Sequence, residues 1–371
     1  PSPDDLYLLY TGGTTGMPKG VAWRQHDIFM AAMGGRSLGS WAEIHSYDEL
    51  AERAASAPGR TMMILPPLMH GAAQWAAFSG MSAAVTVVFP DNNRRLDPVD
   101  VWSTVVREKA NLMTVVGDAT ARPLIEELER GDYDISSLIA FGNGGAPLNP
   151  ALKRRLVERA PHLLVSDSVG SSETGAQMTH VSTSAGVSTG RFGAGPGTVV
   201  VDEGLARVLP PGHEGIGWLA QAGQVPLGYL GDADKTARTF PVIRGVRYAV
   251  PGDRARHLAT GEIELLGRDS VTINSGGEKI FAEEVELAIA GHPAVQDVIV
   301  VGRPSERWGQ EVVALVKLGD GRSVSAEALA AHASQHVARY KLPKEWRFVP
   351  EIQRSPSGKA DYRWAKEQVA R

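Results

Sequence analysis

Between residues 61 and 166 short apolar runs alternate with helical patterns, and this alternation constrains the fold more than any other feature of the chain. Apolar runs at 61–65, 85–89, 112–116, 138–141 and 163–166 have the length of strands, and an apolar, aromatic run at 6–10 reads as a buried strand before them. Helical patterns cover 27–33, 71–81, 98–110, 121–130 and 150–159. Asp97-Pro98 and Asn149-Pro150 each place a capping side chain before a proline at the first helical position. Strands separated by helices need crossover connections, so the expected fold class is α/β, with a mostly parallel sheet covered by helices. Ligands on such sheets sit beyond the carboxyl ends of the strands.

From about residue 186 the pattern changes. Gly and Pro increase, and short strands at 198–202, 216–220, 242–248 and 262–266 predict a distorted, mainly antiparallel β subdomain. After Arg268 a third pattern begins: segments 271–274 and 279–281 flank Ser275-Gly276-Gly277 as a hairpin. A helix from 282, strands at 295–301 and 312–318, a helix at 325–338 and a strand at 346–349 follow. The expected division is a partial N-terminal α/β domain (1–190), a β subdomain of that large domain (191–268) and a small α+β C-terminal domain (269–371). A chain of 371 residues is longer than one ordinary core supports, which fits this division.

A net charge of −4 gives no basic surplus for nucleic acid or an anionic membrane. The absence of cysteine excludes disulfides, thiolate metal sites and a cysteine nucleophile, and fits a cytoplasmic protein. Residues 61–90 carry no Asp, Glu, Lys or Arg, but Pro66-Pro67, Gly71, Gln74 and Gly80 favour a buried strand, helix and strand over a transmembrane helix.

The run Tyr10-Thr11-Gly12-Gly13-Thr14-Thr15-Gly16-Met17-Pro18-Lys19-Gly20-Val21 follows the first strand. Its glycines permit positive φ and let backbone N–H groups converge on an anion. Thr14 and Thr15 add hydroxyl donors and Lys19 a compact positive charge, a set suited to a polyphosphate. It is not a Walker A loop, because Pro18 precedes Lys19 and Gly20 follows where Ser or Thr should hold magnesium. Further along, Glu173 in Val169-Gly170-Ser171-Ser172-Glu173-Thr174-Gly175 is a candidate oxygen ligand for a cation beside that polyphosphate. Asp253, in Arg247-Tyr248-Ala249-Val250-Pro251-Gly252-Asp253, can accept both protons of a vicinal diol.

These segments resemble, in order from Leu6 to the end, the adenylate-forming enzymes: acyl-CoA synthetases, luciferases and peptide-synthetase adenylation domains. The resemblance implies a phosphate loop at Thr11, Gly12, Gly13, Thr14, Thr15, Gly16 and Lys19, and a stretch lying against adenine at Gly144, Gly145, Ala146 and Pro147. It implies Ser172 on the α-phosphate, Glu173 on magnesium, Asp253 on the ribose and Arg268 on the nucleotide sugar or phosphate. Asp269 stands at the hinge, Gly276 and Gly277 in a hairpin beside the CoA pantetheine arm, and His70 and Trp75 beside the acyl pocket. Lys359, in Ser357-Gly358-Lys359, is implied to bind acyl carboxylate and α-phosphate oxygens during adenylation. The sequence departs from the pattern at Ser172, where Thr is common, at Val169, where many members stack Tyr on adenine, and at Pro251, which replaces Thr.

The implied reaction uses ATP, Mg2+ and CoA: a carboxylic acid becomes acyl-AMP, and the CoA thiol then displaces AMP. Val21-Ala22-Trp23-Arg24-Gln25 after the loop looks most like actinobacterial fatty-acyl or steroid-side-chain CoA ligases. An acyl-AMP ligase, a carrier-loading adenylation domain and a nucleotide-binding chain with impaired turnover are the alternatives. Family members carry a substantial segment before the phosphate loop, so the sequence is expected to be a fragment of a longer enzyme, or to associate as a homodimer with low activity of its own.

Overall fold

The computed structural model describes residues 2–11, 18–37, 40–188, 190–355 and 358–370. The chain divides into two compact units. One takes most of the chain up to Pro251 together with Arg256–Glu264, and the other takes Gly252–Ala255 and Leu265–Arg371.

In the first unit, strands Val85–Val88, Arg60–Ile64, Leu112–Val115, Ala140–Gly144 and Leu164–Ser171 lie side by side in that order, each parallel to its neighbour. The register aligns Met63, Met113, Phe141 and Val165 across the sheet, and all four are buried. Helices Pro98–Glu108, Gly117–Arg130 and Pro150–Arg159 contribute Trp102, Val105, Leu124, Ile125, Leu128, Leu152 and Leu156 to the same core. Parallel strands buried under helices explain why the strand segments read as continuous apolar runs and not as alternating ones. The two caps form as expected: Asp97 accepts from the Asp100 N–H, and Asn149 from the Ala151 N–H at 2.8 Å. The sheet continues antiparallel through Gly175–Ser182 and Arg191–Ala194, to which Ile263 and Glu264 add.

The first strand departs from expectation. Leu6–Thr11 pairs antiparallel with Lys19–Arg24, which pairs with Gly228–Tyr229, in a separate three-stranded sheet. It is not a buried strand of the parallel sheet. Leu9 is buried, whereas Leu6, Leu8 and Tyr10 are 60%, 41% and 56% exposed, because alternate side chains of a strand point to opposite faces. The second strand of this hairpin carries the buried residues Val21, Ala22 and Trp23.

The expected strand at 242–248 is a hairpin, Val242–Ile243 against Val246–Ala249. Arg244 and Gly245 form its two-residue turn with φ of 50° and 83°, the positive pair a tight hairpin requires. The helix placed at 121–130 begins at Gly117, with Pro123 inside it. The expected strand at 138–141 starts later, as Ala140–Gly144, and a capped helix, Tyr47–Ser56, was not anticipated.

In the second unit, Val295–Ser305 and Gly309–Leu318 form a long antiparallel pair, flanked by the parallel strand Glu345–Phe348 and by the hairpin Ile273–Ser275/Glu278–Ile280. Both faces of the long pair are covered. Val298, Val300, Val312 and Ala314 pack on helices Ala282–Ala290 and Ala326–Ala333, and Ile299, Val301, Val313 and Leu315 pack on helix Tyr362–Val369.

Candidate nucleotide site

Thr11 and Lys19 face each other across the first hairpin, so they close the stem of the glycine loop. Gly12, Gly13, Thr14, Thr15 and Gly16 lie outside the described residues. Lys19 donates to Asp232 at 2.6 Å, and this bond holds the Asp232 carboxyl below its usual range. Asp232 in turn caps helix Ala233–Thr239 by accepting from the Lys235 N–H.

Glu173 sits at the tip of a tight hairpin between Leu164–Ser171 and Gly175–Ser182. Two local bonds and one long-range bond set that tip: Thr174 Oγ1 accepts the Ser171 N–H at 2.9 Å, Ser171 Oγ accepts the Glu173 N–H at 3.2 Å, and the buried Trp23 indole donates to the Ser172 carbonyl at 2.9 Å. Gly175 turns the chain with φ of 68°, and a Cβ there would lie 2.8 Å from Ala31 Cβ. Glu173 Oε1 accepts the Tyr229 hydroxyl at 2.7 Å. Burial and the Glu173 charge push the Tyr229 phenol far above its ordinary value, so it remains a donor. The Lys235 ammonium lies 4.5 Å from the Tyr229 ring centroid, and Lys19 lies 5.9 Å from it. Desolvation, then the neighbouring Lys19, lowers the Lys235 pKa. Lys19 and Glu173 are therefore brought together through Tyr229, with Asp232 and Lys235 completing the group. The motif reading identified neither Tyr229, Asp232 nor Lys235.

Gly144 and Gly145 leave the end of a parallel strand, Gly145 with φ of 78°. A buried network underlies this turn. Asn143 donates to the Ala146 carbonyl at 3.0 Å and to Asp167 at 2.9 Å, and accepts the Gly117 N–H at 2.7 Å. Asp167 pairs with Lys153, which is fully buried. A Cβ on Gly117 would stand 2.8 Å from the Pro147 oxygen, so Gly117 lets Ala146 and Pro147 approach. His70 precedes helix Gly71–Ser82, and Trp75 packs in a buried cluster with Leu9, Val21 and Trp23.

In the second unit, Arg268 donates to Asp253 at 3.3 Å, and the Asp269 N–H donates to the Gly252 carbonyl at 3.1 Å. Glu283 Oε1 accepts the Arg268 N–H, while its Oε2 is buried without a hydrogen bond among the described residues. Burial pushes the Glu283 carboxyl up to about 7. Gly267, with φ of 136°, makes room for it, because a Cβ would fall 2.4 Å from Oε2. Gly276 and Gly277 turn the next hairpin with φ of 61° and 88°, and the Gly276 N–H donates to the Trp308 carbonyl at 2.8 Å. Lys359 lies on a turn closed by the Ser355 N–H donating to its carbonyl at 2.8 Å. Among the described residues no cluster of three or more His, Asp or Glu could hold a metal ion alone. A single carboxylate such as Glu173 fits magnesium, which commonly binds one or two protein carboxylates plus substrate phosphates.

Residues 1–230 match the family described as AMP-binding enzyme, and residues 284–359 match its C-terminal domain. The chain belongs to the AMP-binding enzyme family.

It is 66% identical over 367 residues to the medium-chain acyl-CoA ligase Mig of Mycobacterium avium, covering 99% of this chain and 67% of that protein. It is 44% identical over 377 residues to the medium/long-chain-fatty-acid–CoA/3-oxocholest-4-en-26-oate–CoA ligase of Mycobacterium tuberculosis (strain H37Rv), with the same coverage. The fold is similar to that of ATP-bound MatB from Rhodopseudomonas palustris, with a TM-score of 0.79 at 23% identity, covering 100% of this chain and 69% of that one. This likeness shows the adenylate-forming fold.

Proposed function

We propose that the chain converts a medium- or long-chain fatty acid, or a steroid side-chain acid, to acyl-AMP and then to the CoA thioester. The observation that carries this reading is its 66% identity, over nearly its full length, to a medium-chain acyl-CoA ligase. In the first half-reaction the carboxylate attacks the α-phosphate of ATP and pyrophosphate leaves. In the second the CoA thiol displaces AMP. Lys19, Lys235, Ser172 and the loop donors Thr14 and Thr15 offset charge on the phosphate oxygens, and Lys359 binds the acyl carboxylate and α-phosphate. Glu173 would hold magnesium, which would supply positive charge against the phosphates. Asp253 holds the ribose, Arg268 the sugar or phosphate, and Gly144 to Pro147 the adenine. His70 and Trp75 border the acyl pocket, and Gly276 and Gly277 admit the pantetheine arm. The small domain after 268 turns about Asp269 between the half-reactions.

The test is acid-dependent ATP–pyrophosphate exchange measured beside thioester formation. Both should appear with fatty acids. Exchange without thioester would identify an acyl-AMP ligase instead.

We place the reaction in the cytoplasm; among the described residues no helix is long and apolar enough to cross a membrane. We also propose a homodimer, supported by the exposed row Leu6, Leu8 and Tyr10 on one strand face. Light scattering that finds only monomer would remove the dimer.

A further inference from the structure

One guanidinium, that of Arg354, touches two different parts of the second unit. Its Nε donates to Asp297 Oδ2 at 2.8 Å and its Nη2 to Asp297 Oδ1 at 2.5 Å, the two-pronged pairing that fixes both distance and orientation. Its Nη1 donates to the Gly358 carbonyl at 3.0 Å. Asp297 lies on strand Val295–Ser305, at a β-bulge between Val295 and Asp297 that re-aims the strand locally. The residue adjacent to Gly358 is Lys359.

The turn that carries Lys359 is narrow at its base. Arg354 and Ala360 form an antiparallel bridge, the Ser355 N–H donates to the Lys359 carbonyl, and Ser355 Oγ accepts the Lys359 N–H at 3.2 Å. The Gly358 N–H donates to the Ser355 carbonyl, and Gly358 has φ of 77°. Beyond the turn, the Tyr362 hydroxyl donates to Glu286 Oε2 at 3.1 Å, and Glu286 Oε1 accepts the Val300 N–H at 2.8 Å. The turn is thus attached to the same strand on both sides: before it through Arg354 to Asp297, after it through Tyr362 and Glu286 to Val300.

We propose that Arg354 and Asp297 are positioning residues for Lys359: the guanidinium fork fixes the turn on the sheet, and its third nitrogen holds the carbonyl next to the lysine. The proposal rests on the reading of Lys359 as the adenylation lysine and extends it to the device that aims the side chain. A long, flexible lysine gains rate only when its base is held still, and a displacement of about 1 Å at a reacting group can cost about 100-fold. Glu286 and Tyr362 fix the far side of the turn in the same way.

Asp297→Asn and Arg354→Lys test the clamp. The first keeps the shape and removes the charge; the second keeps the charge and removes the fork. In both, hydrogen exchange at the Ser355, Gly358 and Lys359 amides should quicken by about 10-fold or more while amides of strand Val295–Ser305 keep their protection. Adenylation should fall by about 10-fold or more, and thioester formation from pre-made acyl-adenylate should stay within about 2-fold. Unchanged exchange at the turn overturns the proposal, and so does equal loss of protection across the strand, which would make the pair merely structural. Lys359→Ala is the control. If it spares thioester formation but the clamp variants leave adenylation intact, the clamp alone fails. If Lys359→Ala impairs both half-reactions equally, the reading of Lys359 fails and takes the proposal's catalytic half with it.

Discussion

Tyr229 is the residue through which the charged groups of the first unit meet. Its hydroxyl bonds Glu173 and its ring faces Lys235. Tyr229→Phe keeps the ring and removes only the donor, so Glu173 loses the bond that orients it. If Glu173 holds magnesium as proposed, magnesium-dependent ATP affinity should weaken by about 10–100-fold, as for loss of a partner behind a metal ligand. Titration calorimetry measures this directly; unchanged affinity would detach the Tyr229–Glu173 pair from nucleotide binding. A second residue-scale expectation concerns pH. Burial, then the neighbouring Glu283, pushes the Glu286 carboxyl up from 4.5 to about 8. The native state therefore holds a proton that the unfolded chain releases earlier. The stability tied to this proton is full below 4.5 and is lost as pH rises towards 8. Glu286→Gln should flatten that decline in urea unfolding followed by fluorescence between about pH 5 and pH 8. A decline of the same steepness in the variant would remove Glu286 as its source.

At the scale of elements, the proposed hinge at Asp269 offers a direct intervention. The Asp269 N–H donates to the Gly252 carbonyl. Asp269→Pro removes that donor and fixes φ near −65°. Adenylation should survive and thioester formation should fail, because only one domain orientation remains accessible. Unchanged overall turnover would take Asp269 out of the hinge. What the sequence made legible at this scale was local: Asn149-Pro150 announced a helix start, and Gly276-Gly277 announced a two-residue turn. Elements whose burial depends on a distant partner were not legible. The run at 6–10 is apolar enough for a core strand, yet its role follows from pairing with Lys19–Arg24, which leaves alternate side chains in solvent. The candidate site divides in the same way. Glu173 and Lys19 stand in contiguous motifs, whereas Tyr229 is 56 residues from Glu173, and Asp232 is 213 residues from Lys19. No spacing rule joins residues so far apart; only the folded hairpins do.

For the whole molecule, the family assignment supports the proposed reaction, in which ATP is cleaved to AMP and the acyl group ends on sulfur. In the proposed reading Lys19, Glu173 and Tyr229 serve the nucleotide, while Lys359 and the proposed hinge at Asp269 belong to the second unit, so both half-reactions are expected from one chain. The most direct measurement is mass spectrometry of the products formed from ATP, CoA and a panel of carboxylic acids spanning medium-chain, long-chain and steroid side-chain members. AMP and acyl-CoA should form in equal amounts, dependent on the acid supplied. ADP in place of AMP, or acyl-adenylate accumulating with no thioester for any acid in the panel, would contradict the proposed reaction.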